Sequence, residues 1–259
     1  MNTFNVNAPG HAAPRRLRSV RDRSVRVRSA RALQPALFLF ALASSCTAAP
    51  SRSPDSVAAT ADADATTDSI RTTADRDRIS GDTAAAIMLI MASDFQCPYC
   101  AQWHRESHDS IRTRYVEPGL IRIAYLNFPL DYHRHARTAA NAALCAGAQN
   151  RFWHVHDAIF ETQEHWTPLA DAGPAFETLA GEAGLNMPVW RSCVAGGVMD
   201  AVVRSDRERA AGAGVQSTPT FLVLHLKPPS RPGQLIRGAV PLPELKQVLD
   251  SLLASSGEP

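Results

Sequence analysis

The sequence predicts an α/β fold in which a helical insertion separates a strand–helix–strand half from a strand–strand–helix half, and three observations predict it. Two apolar runs, 86–92 and 121–126, flank a polar–apolar helical pattern. The stretch from about 133 to 212 reads as helix almost throughout, broken at glycines and at Pro168 and Pro174. Two further strand-like runs, 220–224 and 234–237, then lead into a helix with one apolar face.

Taken in order, the chain opens with eight arginines between positions 15 and 31, while its net charge is only +2 over 259 residues. A basic arm for nucleic acid would suit the arginines alone, but an uncharged apolar stretch, 32–45, follows at once, which is the order of a secretion signal. Nucleic-acid binding is therefore not expected. The apolar stretch is interrupted by Gln34-Pro35 and is short for a span of about 20 apolar residues. It ends in Leu42-Ala43-Ser44-Ser45-Cys46, which resembles a bacterial lipobox, so residues 1–46 are read as a signal peptide with Cys46 as the lipidation site and membrane anchor. Cleavage near Ala48-Ala49, which would leave a soluble periplasmic protein, and an uncleaved anchor reaching Ser51 are the alternatives. All three place the remainder outside the cytoplasm. The length of the basic segment also admits a translation start downstream of Met1.

From 47 to 80 the residues are mostly Ala, Ser, Thr, Asp and Arg, with almost nothing large and apolar, so this segment is read as a flexible linker. The folded domain is expected over 81–257. The continuous run 86–92 has the pattern of a strand buried on both faces. Phe95-Gln96-Cys97-Pro98 opens a helix that Pro118-Gly119 stops, and 121–126 is the second strand, joined by a right-handed parallel crossover. Within the insertion, helices are expected at 136–148, 152–162, 175–183, 188–195 and 199–211. The last helix runs from 241 to about 253, with Leu245, Val248, Leu249, Leu252 and Leu253 on one face.

The chemistry-bearing feature is Cys97-Pro98-Tyr99-Cys100 at the start of the crossover helix. A helix N-terminus presents free N–H groups and the positive end of the helix dipole, which stabilise an anion. A cysteine there falls from a pKa of about 8.5 into a range of roughly 3.5–7.5. Cys97 is thus the expected exposed attacking thiol, and Cys100, one turn deeper, the resolving one. Pro98 suits the first helical turn, where no N–H partner is lost. Zinc would have to recruit Cys145 and Cys193, or His104 and His108 at i,i+4, and neither remaining cysteine belongs to a second Cys-x-x-Cys. No metal and no cofactor is expected. Of five cysteines, one lies in the lipobox and two in the redox pair. In an oxidising compartment the other two, Cys145 and Cys193, are expected to form a structural disulfide.

Several motifs stand in order along the chain: Ser93-Asp94-Phe95-Gln96-Cys97-Pro98-Tyr99-Cys100, Phe128-Pro129-Leu130, the segment 139–160 with Cys145, Phe152-Trp153 and His156-Asp157, and Thr218-Pro219. As a set they resemble the DsbA-like thioredoxin family, over about residue 81 to the C-terminus. The resemblance implies a thioredoxin fold and a cis proline at Pro219, presented by Thr218 beside the redox cysteines. Two positions depart from the family pattern. Members often carry a buried glutamate six residues before the first redox cysteine, where this chain has Met91, and the strongest oxidases have Pro-His where this chain has Pro98-Tyr99.

The expected function is that of an extracytoplasmic thiol:disulfide oxidoreductase, a dithiol oxidase acting on reduced or misoxidised exported proteins and recharged by an unidentified redox partner. A disulfide isomerase or reductase, or a binding lipoprotein that keeps the fold as a scaffold, are the rivals. His104 and His108, and equally His133, His135, His154 and His156, are read as solvated helix-face residues. Trp153, Trp166 and Trp190 are read as core or cap residues.

Overall fold

The computed structural model describes residues 54–227 and 233–256. The signal segment 1–46 and Cys46 lie outside the described residues. A five-stranded sheet has the order β1-β3-β2-β4-β5: β1 Ile79–Ser80, β2 Ile87–Ser93, β3 Ile121–Asn127, β4 Thr220–His225 and β5 Gln234–Arg237. β2 runs parallel to β3 and antiparallel to β4. Ile87, Leu89 and Met91 of β2 enter the main core, whereas Ala92 on the other face joins a smaller cluster with Phe128, Ala210 and Val215. The alternation is that of a pleated strand with both faces covered. Gly81, at φ 108°, turns the chain from β1 towards β2; a Cβ there would lie 2.6 Å from the Ile121 carbonyl oxygen.

The crossover helix is one run of four pieces: α-helical Pro98–Trp103, π-helical His104–His108, α-helical Asp109–Ile111 and π-helical Arg112–Val116. The insertion contains helices Ala136–Gly147, Phe152–Glu161, Gln163–Trp166, Gly173–Glu182, Met187–Ala195 and Asp200–Gly212, and the chain closes with Leu242–Ser256. Tyr115 donates to Asp250 Oδ1 at 2.6 Å, tying the closing helix to the crossover helix. Cys145 and Cys193 are joined by a disulfide with Cα atoms 5.9 Å apart, linking two helices of the insertion.

The flexible-linker reading of 47–80 is corrected here. Pro54–Asp77 is a helix, and its C-terminal half belongs to the folded body. Ile70 packs against the core, but the closest approach is made by small residues. Ala74 is fully buried, and Gly147 on the alanine-rich helix Ala136–Gly147 comes so close that a Cβ there would meet Ala74 Cα at 3.4 Å. Small residues on both helices allow this approach, and their dispersion contacts replace those of bulkier side chains. Asp77 Oδ2 accepts from the Phe152 N–H at 2.7 Å, satisfying a free donor at the start of helix Phe152–Glu161. Just beyond the helix, Arg78 is 5% exposed and forks onto the fully buried Asp206, which also accepts from Asn127 Nδ2 at 2.8 Å and Arg209 Nη2 at 2.7 Å. Folded structure therefore begins upstream of residue 81, and β1 with it.

Truncating Asp206 to alanine removes the buried partner of the Arg78 guanidinium and leaves it only the half-exposed Asp75 carboxylate, which should cost about 3 kcal/mol in denaturant unfolding, the lower end for breaking a buried pair. A loss within about 0.5 kcal/mol, the range of an ordinary surface change, would contradict this anchoring. Replacing Cys145 and Cys193 together by alanine opens a loop spanning 48 residues. Chain-entropy scaling gives a loss of about 4 kcal/mol, to be read from the same unfolding curves.

Candidate active site

β2 ends at Ser93, and the next residues turn directly into the crossover helix, so Cys97 caps the helix and Pro98 opens it. The intervening loop is braced from several sides. Asp94 Oδ1 accepts from the Gln96 N–H at 2.7 Å; Asp94 Oδ2 accepts from the Leu130 N–H at 2.8 Å and lies 2.7 Å from His133 Nδ1. Gln96 Oε1 accepts from the His135 N–H at 2.7 Å, and Gln163 Nε2 donates to the carbonyls of Phe95 and Cys97 at 2.7 and 3.0 Å. The insertion thus supplies Gln163, His133 and His135 as supports for the redox loop. His135, expected on a solvated face, is buried: its backbone takes part in this bracing, and its ring Nε2 lies 2.8 Å from the Leu169 carbonyl oxygen.

Opposite the pair, the Thr218–Pro219 peptide bond is cis. The register Ala92↔Thr220 sets this bond beside the end of β2, and the Cys97 thiol donates to the Thr218 carbonyl at 3.5 Å. Tyr99 projects outward and is 63% exposed.

The two thiols are both buried by area, 3% exposed for Cys97 and 2% for Cys100, so exposure of Cys97 does not separate them as the sequence suggested. Electrostatics does. The Cys100 side chain donates to Cys97, and with the backbone N–H groups of Cys100 and Tyr99 it outweighs desolvation and lowers the Cys97 thiol to about 6. Cys100 lies deeper, and burial pushes its thiol well above the usual range, with the neighbouring Cys97 adding to the rise. One thiol is a ready nucleophile, while the other holds its proton until the first has reacted.

Beneath Cys100 is a small cavity whose wall includes Met91, Ser93, His104, Tyr125, His156 and Pro219. Met91 therefore occupies a place from which a carboxylate would reach Cys100. The Tyr125 hydroxyl is buried there without a hydrogen-bond partner.

The sequence reading of the histidines needs a second correction. The His104 and His108 side chains are 9% and 4% exposed and His156 is 1% exposed; all three face Asp157, whereas His154 is exposed. Polar rings bury when they meet one another and a carboxylate, an arrangement that amphipathic periodicity cannot reveal. Trp166 and Trp190 are core residues whose indole N–H groups donate to the Ile159 and Ala142 carbonyls.

The separation of the two thiols is measurable. Alkylation of the reduced protein should modify Cys97, with a rate that falls as pH drops through about 6, because only the thiolate attacks. Cys100 should remain unmodified at neutral pH. Equal rates at both positions, resolved by peptide mapping, would refute the assignment.

Comparison with known proteins gives the same frame. Residues 73–228 match the family described as thioredoxin. Wolbachia pipientis alpha-DsbA1 superposes with a TM-score of 0.61 at 22% identity, covering 69% of this chain and 92% of that one. Oxidised BdbD from Bacillus subtilis gives 0.59 at 19% identity, covering 68% and 92%. Among curated relatives, 149 residues are 31% identical to Na(+)/H(+) antiporter NhaA 3 of Salinispora tropica, 57% of this chain but only 22% of the antiporter. A shorter stretch of 85 residues is 26% identical to the probable disulfide bond formation protein D of Bacillus anthracis, 32% of this chain and 39% of that protein. No helix among the described residues is long and apolar enough to cross a membrane. With its βαβ and ββα halves, helical insertion and matched residues 73–228, the chain belongs to the thioredoxin family and has the fold of its DsbA-like members.

Proposed function

We propose that this protein is an extracytoplasmic thiol:disulfide oxidoreductase working as a dithiol oxidase, with Cys97 and Cys100 as its redox pair. The observation that carries the reading is the electrostatic split between the thiols, with Cys97 lowered to about 6 beside the cis-Pro219 segment and Cys100 held protonated below it. Stabilising the Cys97 thiolate favours the reduced enzyme and so makes its disulfide oxidising. The likeness to a disulfide bond formation protein supports the same chemistry.

The reaction balances as two exchanges. A substrate thiolate attacks Cys97 Sγ of the enzyme disulfide, a mixed disulfide forms, and Cys100 leaves and takes up a proton. A second substrate thiolate then attacks the substrate sulfur of the mixed disulfide, expelling Cys97 as a stabilised thiolate. The substrate loses two electrons, which the enzyme passes to a separate redox partner. Pro98 and Tyr99 shape the helix start, and Thr218 offers backbone edge to an extended substrate segment, a mode that tolerates many sequences. Of four exposed large apolar side chains among the described residues, Tyr99, Tyr132 and Leu169 flank the braced redox loop or its supports, a surface suited to unfolded chains. Reduced or misoxidised exported proteins are the substrates this surface fits, and export with lipidation at Cys46 would deliver the enzyme to them.

Catalytic amounts of the protein, supplied with an oxidant, should accelerate disulfide formation in a reduced, unfolded substrate, and Cys100→Ser should accumulate mixed disulfides through Cys97. The redox pair should equilibrate at about −120 to −230 mV. A potential below about −300 mV would mark a structural disulfide on a binding scaffold, and rescue of a scrambled substrate without faster first oxidation would mark an isomerase.

A further inference from the structure

We infer that His104, His156 and Asp157 supply three ligands of a zinc(II) site, independent of the cysteines, that keeps its fourth position open and clamps the crossover helix to the insertion beneath Cys97 and Cys100. Three imidazole nitrogens converge on a single carboxylate oxygen. His156 Nδ1 lies 2.8 Å, His104 Nε2 3.0 Å and His108 Nδ1 3.7 Å from Asp157 Oδ1. In a tetrahedral zinc site with ligand bonds of about 2.0–2.1 Å, neighbouring ligand atoms sit roughly 3.3 Å apart. The ligand atoms of His104, His156 and Asp157 all lie within 4.8 Å of one another, and the two shorter separations fall a few tenths of an ångström below that edge, whereas His108 lies outside this group.

His108 packs beside the site: it is 3% exposed, and its Nδ1 faces Asp157 at 3.7 Å, too far for a hydrogen bond. The π-helical turn His104–His108 explains how it is held there. Its wider turn brings residues four apart nearly into line, and the His104 and His108 rings stack with centroids 5.0 Å apart. Trp153 stacks on the far face of the site against His108, at 5.7 Å.

Charge and access agree. Two imidazoles and one carboxylate suit a borderline divalent ion such as zinc, whereas calcium and magnesium require oxygen ligands. Arg112, the cation on the adjoining cleft, is engaged by Asp109 and Glu117. That cleft also reaches His104, His108 and Asp157 from solvent and provides the entry path.

The test is calorimetric titration of the oxidised, metal-free protein with zinc chloride, a state in which Cys97 and Cys100 offer no thiolate. One equivalent should bind, and calcium or magnesium at the same concentrations should not. His104→Phe, which keeps a ring in the stack, and Asp157→Asn should each weaken binding by more than about 100-fold, the upper end of what loss of a mere supporting residue costs. Cobalt(II) gives a readout in the unaltered chain: ligand-field bands of a four-coordinate nitrogen–oxygen site with no sulfur charge-transfer band. Absence of zinc binding, undiminished affinity in both variants, or a cobalt spectrum with the sulfur band would overturn the inference.

Discussion

The double pairing of β2 is the constraint on which the rest depends. Its seven residues are matched to β3 on one side, and six of them to β4 on the other. Because side chains alternate with period two, a slip of one residue would carry Leu89 and Met91 to the opposite face and expose the second cluster's Ala92 to the main core. The same register decides the chemistry. Ser93 ends the strand opposite Asn127, Ala92 faces Thr220, and the chain leaving β2 therefore begins its helix beside the cis-Pro219 bond. Neither Cys97 nor Pro219 is placed by its own neighbours in sequence; a central strand shared by both halves of the fold places them.

Given that placement, the two thiols become different through competing effects of opposite sign. Burial raises both, but Cys97 has donors aimed at its sulfur, while Cys100 is the donor and lies in the interior. Hydrogen bonding to the charged form wins at the helix start and desolvation wins one turn deeper. Met91 adds to the second effect, since it contributes an apolar wall to the cavity under Cys100 where a carboxylate would have accepted a proton.

Much of this was legible in the residues. Cys-x-x-Cys at a helix start, two apolar runs around it and a late Thr-Pro opening a strand mark the candidate redox pair because each depends on local chemistry. What escaped depends on partners distant in sequence. The helix Pro54–Asp77 has no strong apolar face, and its docking rests on Ile70 against the core, on Ala74 meeting Gly147 and on Arg78 reaching Asp206, 128 residues away. β1 has only two residues, too few to carry a pattern. The histidines were visible as an i,i+4 pair and a His156-Asp157 step, yet polarity argued for solvent. Their burial follows from two helices turning the same kind of side chain towards one carboxylate. The adjacency of His156-Asp157, read together with His104 and His108, was the signal available.

The helical insertion is more than a lid added to a sheet. Through Gln163 it holds the carbonyls of Phe95 and Cys97, through His133 it faces Asp94, and through the His135 backbone it holds Gln96. The loop leading to the redox pair is therefore positioned by the insertion as much as by β2, and any looseness in the insertion would reach Cys97 directly. The Cys145–Cys193 bond joins helices on the far side of that same insertion, where the N-terminal helix also docks. The geometry around Cys97 is thus maintained by a chain of supports in which a structural disulfide and a buried ion pair stabilise the helices, and the helices in turn fix the loop.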